Sequence, residues 1–272
     1  LSLSFSKYHG GGNDFILIDD RSLAFLCDDA SFIRQLCSRR FGIGADGLVL
    51  LQPSQVADFR FRIFNADGSE ASLCGNGLAC MVSYLRDLGF AKETFAIETE
   101  KEVLTCALVG TKVSIRLPSP KVLYWGLCLE ELEGLECFVL DTGVPHLVFF
   151  VEDLEDYPIE GMGRCLRHHS LFLPFGGVNV NFVKMGIDGA IRIRTYERGV
   201  EGETYSCGTG AAAAAIVVDQ KNAQPSPLRV IPRSGESLEF FLKESAAGKE
   251  VTLLASASFV FEGSCHRFAF SV

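Results

Sequence analysis

The sequence predicts an α+β protein of two pseudo-symmetric halves, each a mainly antiparallel sheet wrapped around one central helix. Three observations predict it. A cysteine motif occurs twice, half a chain apart, as Cys74-Gly75-Asn76-Gly77-Leu78-Ala79 and Cys207-Gly208-Thr209-Gly210-Ala211-Ala212. Each copy follows an alternating segment, Phe59-Arg60-Phe61-Arg62-Ile63-Phe64 or Ile191-Arg192-Ile193-Arg194-Thr195, whose apolar residues share one strand face and whose arginines share the other. Each copy also precedes an apolar helical run.

Taken in order, the first helix falls at 31–39, with Ile33, Leu36 and Cys37 on its inward stripe. The strand at 59–64 leads to a helix over 78–88, where Leu78, Val82 and Leu85 align and Gly89 stops the pattern. Strands follow at 103–109 and 112–117, then the breaker Pro118-Ser119-Pro120. Beyond it lie strands at 137–141, 147–151 and 191–195, a helix at 211–218 that is apolar all round, and strands at 238–242 and 251–256. The expected domains are 1–118, carrying Cys74 and joined by a returning C-terminal strand at 264–272, and 119–263, carrying Cys207.

Composition narrows the function classes. A net charge of −9 and an isoelectric point near 5.1 argue against nucleic acid or an anionic membrane as partner. No run of about 18 apolar residues suits a transmembrane helix, and residues 1–9 lack a signal-peptide core. The expectation is a cytoplasmic protein. Its ten cysteines are scattered with no C-x-x-C spacing, so no metal site is expected and most thiols read as buried apolar groups.

The repeated motif carries the chemistry. A helix N-terminus presents unsatisfied N–H groups and partial positive charge, and glycines such as Gly75, Gly77, Gly208 and Gly210 let a ligand approach that backbone. A substrate carboxylate suits such a place, and the same field favours thiolate over thiol. Two such starts acting on one substrate would put a sulfur on each face of its α-carbon. One sulfur could remove a proton while the other delivers one, which is inversion of a carbon centre. Charge set against the carboxylate would stabilise the carbanion in place of a cofactor. A phosphate-binding loop fits less well, because neither G-x-x-x-x-G-K-[ST] nor G-x-G-x-x-G spacing is present. A cysteine–histidine nucleophile with His146 as base would leave the second motif unexplained.

These residues resemble the diaminopimelate epimerase family over nearly the whole chain. The resemblance runs through His9-Gly10-Gly11-Gly12-Asn13-Asp14-Phe15, Gly42-Ile43-Gly44-Ala45-Asp46-Gly47 and Phe64-Asn65-Ala66-Asp67-Gly68-Ser69-Glu70. It continues through both cysteine motifs, Val178-Asn179-Val180-Asn181-Phe182 and Glu197-Arg198-Gly199. It implies a cofactor-independent two-base enzyme that interconverts LL- and meso-diaminopimelate, a small amino dicarboxylate, with the active site between the domains and usually as a homodimer. It implies Cys74 and Cys207 as the acid/base pair, with the N–H groups of Gly75, Asn76, Gly208 and Thr209 holding the reacting carboxylate. It further implies Asn65, Asn179 and Arg198 as a clamp on the distal carboxylate, Glu197 as partner of the distal ammonium, Asn13 as a pocket residue and His146 as a supporting group. Val144 stands where the family pattern has asparagine, and Glu201 lengthens the loop before the second cysteine, so relaxed specificity toward shorter amino dicarboxylates is expected. His168 and His169 match nothing in the pattern and read as solvated. A related racemase of the same fold and a non-catalytic amino-acid binding protein remain as alternatives.

Overall fold

A computed structural model of the chain describes residues 2–26, 29–246 and 248–266. Its elements run in two matching series. The first is β1 (Ser2–Gly10), β2 (Asn13–Asp19), α1 (Ala30–Cys37), β3 (Gly47–Gln52), β4 (Phe59–Asn65), β5 (Glu70–Ala71), α2 (Gly75–Asp87), β6 (Thr94–Glu98), β7 (Val103–Val109), β8 (Lys112–Arg116) and β9 (Lys121–Cys128). The second is β10 (Glu136–Asp141), β11 (Pro145–Phe150), α3 (Ile159–Arg167), β12 (Asn179–Met185), β13 (Ile191–Glu197), β14 (Gly202–Thr204), α4 (Gly208–Asn222), β15 (Leu228–Ile231), β16 (Leu238–Ser245), β17 (Gly248–Ser256) and β18 (Ser258–His266).

The strands pair identically in both series. β1–β2, β3–β4, β4–β5, β6–β7 and β7–β8 are antiparallel, as are β10–β11, β12–β13, β13–β14, β15–β16 and β16–β17. β2–β3 and β4–β6 are parallel, as are β11–β12 and β13–β15. Every parallel pair is separated in sequence by a helix, the crossover that parallel strands require. The ends of the series exchange places: β9 pairs with β10, while β18 runs back along β1 from Ser2↔His266 to His9↔Ser258.

The chain divides into one compact unit of 1–115 with 255–272 and another of 116–254. The return to the first unit thus begins at Ala255 rather than at the expected 264, because Ser258–His266 is one continuous strand on β1.

In the first unit α2 touches β1, β2, β3, β4, β7 and β18, so the sheet surrounds it. On the sheet's other face, Phe32, Ile33 and Leu36 of α1 pack with Phe5, Ile16, Ile18, Leu48 and Leu50. β3 is therefore buried along its whole length, which explains its unbroken apolar run. In the second unit α4 touches β10, β11, β12, β13, β15 and β16. Ala211, Ala212, Ala213, Ala214 and Ala215 are wholly buried there, and their small side chains admit strands close to the axis. Outside that sheet, Ile159 and Leu166 of α3 pack with Leu147, Phe149, Phe182 and Tyr196. α3 has no counterpart among the sequence-based helices because Gly161 and Gly163 interrupt its pattern. Gly163 is required by packing: a Cβ there would lie 2.5 Å from Cγ of Tyr196.

Candidate active site

Both motif cysteines are helix N-cap residues. Cys74 precedes α2 in an extended conformation (φ −142°, ψ 115°), and Cys207 precedes α4 in nearly the same one (φ −130°, ψ 107°). The first helical hydrogen bonds are Leu78 N–H to Cys74 O and Ala211 N–H to Cys207 O, each 2.9 Å. The N–H groups of Gly75, Asn76, Gly208 and Thr209 come ahead of those bonds, at the positively polarised end of each helix.

In the first unit the Cys74 sulfur accepts from Gly77 N–H at 3.5 Å. Asn76 is buried, and its Nδ2 donates to Asn13 Oδ1 at 2.8 Å. Asn13 in turn donates to Asp46 at 3.2 Å. Arg39 bridges Asp14 and Asp46 at 2.7 and 2.6 Å, and Lys7 reaches Asp14 at 2.8 Å. Burial by itself would raise the Asp14 carboxyl, yet hydrogen bonds from Arg39 and Lys7 outweigh it and hold that group well below the usual range. Asn13 thus ties the start of α2 to a cluster of ion pairs. Gly11 (φ +62°) passes over the Asn76 amide so closely that a Cβ would lie 2.8 Å from Nδ2. Asn65 ends β4 opposite Gly47, and its side chain donates to Ser69 Oγ at 3.0 Å within its turn.

In the second unit the Cys207 sulfur lies 3.5 Å from Thr209 Oγ1. That hydroxyl is 2.9 Å from Nε2 of His146, which is fully buried on β11. Burial first, and Arg198 second, push the His146 pKa down to about 3, so the ring is neutral at physiological pH. Asn179 joins two strand ends: Nδ2 donates to Pro145 O at 3.1 Å, and Oδ1 accepts from Arg198 N–H at 2.9 Å. The Arg198 guanidinium donates to Phe175 O at 3.1 Å. Its pKa is lowered by burial and by the like charge of Arg167. A guanidinium in that setting gains strongly from an incoming carboxylate. Glu197 Oε1 accepts from the Thr204 hydroxyl.

Within the second unit the structure brings together Cys207, Gly208, Thr209 and His146, and separately Asn179 with Arg198. In the first unit it brings together Cys74, Gly75, Asn76 and Asn13. Val144 lies in the tight turn between β10 and β11, where Thr142 N–H donates to Val144 O at 3.2 Å. Glu201 (φ +55°) engages Arg167 at 3.2 Å and His168 at 3.4 Å. His169 departs from the solvated reading: its Nδ1 caps the following turn by accepting from Leu171 N–H at 3.2 Å, and its ring packs on Phe172. Three residues were given no role by the sequence reading. Asn181 and Thr195 are buried polar residues on strands and bond each other at 3.0 Å, while Arg167 is visible only once the turn of 175–177 folds around it. The signal for Asn181 was its spacing of two from Asn179, which puts both on one strand face. Among the described residues no cluster of three or more histidine, cysteine or carboxylate side chains could hold a metal ion, and no helix is long and apolar enough to cross a membrane.

The family model described as diaminopimelate epimerase matches residues 5–117 and 138–252. The chain is 38% identical to a protein named diaminopimelate epimerase from Archaeoglobus fulgidus, covering 97% of this chain and 96% of that one. It is 40% identical to another of that name from Aquifex aeolicus, covering 96% and 97%. The fold is also that of solved relatives at low identity. A PhzF-family phenazine biosynthesis protein of Bacillus anthracis superposes with a TM-score of 0.78 at 15% identity, covering 98% of this chain and 99% of that one. A hydroxyproline epimerase of Agrobacterium vitis gives 0.71 at 16% identity, covering 97% and 91%. The matched segments include both cysteine-capped helices, and the chain belongs to the diaminopimelate epimerase family.

Proposed function

We propose that this protein is a two-base isomerase that interconverts LL- and meso-diaminopimelate without a cofactor. The observation that carries the reading is the repeated geometry: one cysteine, in one extended conformation, caps the central helix of each unit. Cys74 and Cys207 act on opposite faces of the α-carbon, one as thiolate removing its proton and one as thiol returning a proton. The N–H groups of Gly75, Asn76, Gly208 and Thr209 bind the carboxylate next to that carbon and stabilise the carbanion. Arg198 takes the distal carboxylate with Asn65 and Asn179, Glu197 takes the distal ammonium, and Asn13 fixes the Asn76 side of the pocket. We further propose that the enzyme works in the cytoplasm as a homodimer, in the supply of lysine and peptidoglycan precursors.

The test is turnover of LL-diaminopimelate in D₂O, with reductant and no added cofactor. Formation of the meso isomer with deuterium at the inverted carbon is expected. Cys74→Ala and Cys207→Ala should each lower turnover by about 10² to 10⁴, the usual contribution of a positioned acid or base. Parental turnover in either variant would sink the two-base reading. Binding of diaminopimelate without solvent exchange would favour the non-catalytic alternative.

A further inference from the structure

Beneath the first turn of α4 lies a row of buried polar groups whose hydrogen-bond directions can be worked out from one fixed end. Asn181 Nδ2 is 2.9 Å from Leu147 O, a carbonyl that can only accept. That contact sets the amide orientation, so Oδ1 is the oxygen and accepts from the Thr195 hydroxyl at 3.0 Å. The same Nδ2 is 3.2 Å from Nδ1 of His146. An amide nitrogen only donates, so Nδ1 must carry its lone pair. A neutral imidazole has one N–H, which must then sit on Nε2 and donate to Thr209 Oγ1 at 2.9 Å. With one of its lone pairs engaged, the Thr209 hydroxyl faces Cys207 Sγ 3.5 Å away, and toward a thiolate only the hydroxyl can donate. Asn181 and His146 are wholly buried, Thr195 is 3% exposed and Thr209 7%, so water does not compete along the row.

The residues that floor the other motif differ. A Cβ on Gly210 would meet Asn181 Oδ1 and His146 Cε1, whereas a Cβ on Gly77 would meet Ile63, Phe61 and Val49. The floor is polar under one cysteine motif and apolar under the other. Asn76, at the position matching Thr209, turns its amide to Asn13.

We propose that Thr195, Asn181, His146 and Thr209 form a one-way donor relay that ends on the Cys207 sulfur and stabilises its thiolate. His146 is then a positioning residue with a locked tautomer, not a proton acceptor in turnover. The relay gives the two sulfurs unequal settings, although each cysteine caps its helix in nearly the same backbone conformation. The proposal rests on Cys207 acting as one of the two acid/base groups, but its readouts need no substrate, so it can fail while that reading stands.

Two measurements test it. In ¹⁵N-histidine NMR of the whole protein at pH 7, assigned with His146→Gln, His146 should show an unprotonated Nδ1 and a protonated Nε2. Asn181→Asp, which puts an acceptor where the relay has a donor, should move the proton to Nδ1 or charge the ring. The second measurement is iodoacetamide alkylation of Cys207, followed by peptide mass. Thr209→Val should slow it about tenfold, the scale of a lost hydrogen bond to a charged group, with Cys74 unaffected, and Thr209→Ser should restore it. A protonated Nδ1 or an imidazolium in the parent would overturn the proposal. So would parental Cys207 alkylation in folded Thr209→Val. Were Thr209→Val unfolded, the parent NMR spectrum and the Thr209→Ser rate would still decide.

Discussion

At Val144 a single side chain is expected to widen the specificity range. It sits in the three-residue turn that delivers β11 and His146, and it offers no hydrogen bond where the family pattern has an amide. A missing hydrogen bond to a charged group is worth roughly 1.5–3 kcal/mol. Shorter amino dicarboxylates such as glutamate or aspartate should then leave one fewer pocket group unpaired and be penalised less. Slow racemisation of at least one of them is expected, and Val144→Asn should raise the preference for diaminopimelate in a competition assay. Equal ratios in the two proteins would refute this. His146 makes a second prediction, for stability. Its folded pKa, about 3, lies below its ordinary value of 6.5. Below pH 6.5 the unfolded chain takes up a proton that the folded one excludes. The stabilisation is therefore complete above pH 6.5 and is lost as pH falls toward 3, with a slope approaching about 1.4 kcal/mol per pH unit. Urea unfolding at pH 7 and pH 5 should show a smaller acid-induced loss in His146→Gln than in the parent. That Cys74 and Cys207 open the two central helices was legible in the sequence, because a duplicated short motif is rare. The environment of His146 was not, because its partners come from β12 and from the start of α4 and only the folded chain brings them together.

The two central helices invite a paired experiment on their third residues. Gly77 and Gly210 occupy the same place, and each lies too close to its floor for a Cβ. At Gly77 the obstacle is Ile63 Cδ1 at 2.8 Å, the free end of a flexible side chain. At Gly210 it is Asn181 Oδ1 at 2.3 Å, on an amide pinned by Thr195 and Leu147. Alanine gains about 1 kcal/mol over glycine in a helix, which offsets a small shift of Ile63. Overpacking against a fixed group costs about 1–3 kcal/mol. Gly77→Ala should therefore stay near parental stability by urea unfolding, while Gly210→Ala should be clearly destabilised; the reverse order would contradict the geometry. At this scale the alternating strands, and the helices with a stripe or an all-apolar run, were readable. β3 was not, since a strand buried on both faces shows no alternation. Nor was α3, whose Gly163 answers to Tyr196 rather than to helix propensity.

At the level of the whole molecule, each unit is a sheet around a helix, yet the two differ in how their strands are supplied. β9 to β17 follow one another along the chain, whereas the first unit takes β1 to β8 from one end and β18 from the other. A fragment spanning 116–254 should unfold more cooperatively in urea than one spanning 1–115, which lacks the strand that covers β1. Similar cooperativity in the two fragments would show that β18 contributes little. The difference has a consequence for synthesis on the ribosome. The first half of the chain emerges early but holds an unpaired strand edge until β18 has followed the second unit out. At about 5–20 residues per second, β1 waits while β2 to β17 are made before its partner arrives, while the second unit can close as it leaves the tunnel. The half that is translated first is thus the half that finishes folding last. Through that interval the outer edge of β1 is the place where a nascent chain is exposed to wrong pairing and where a chaperone would be of most use.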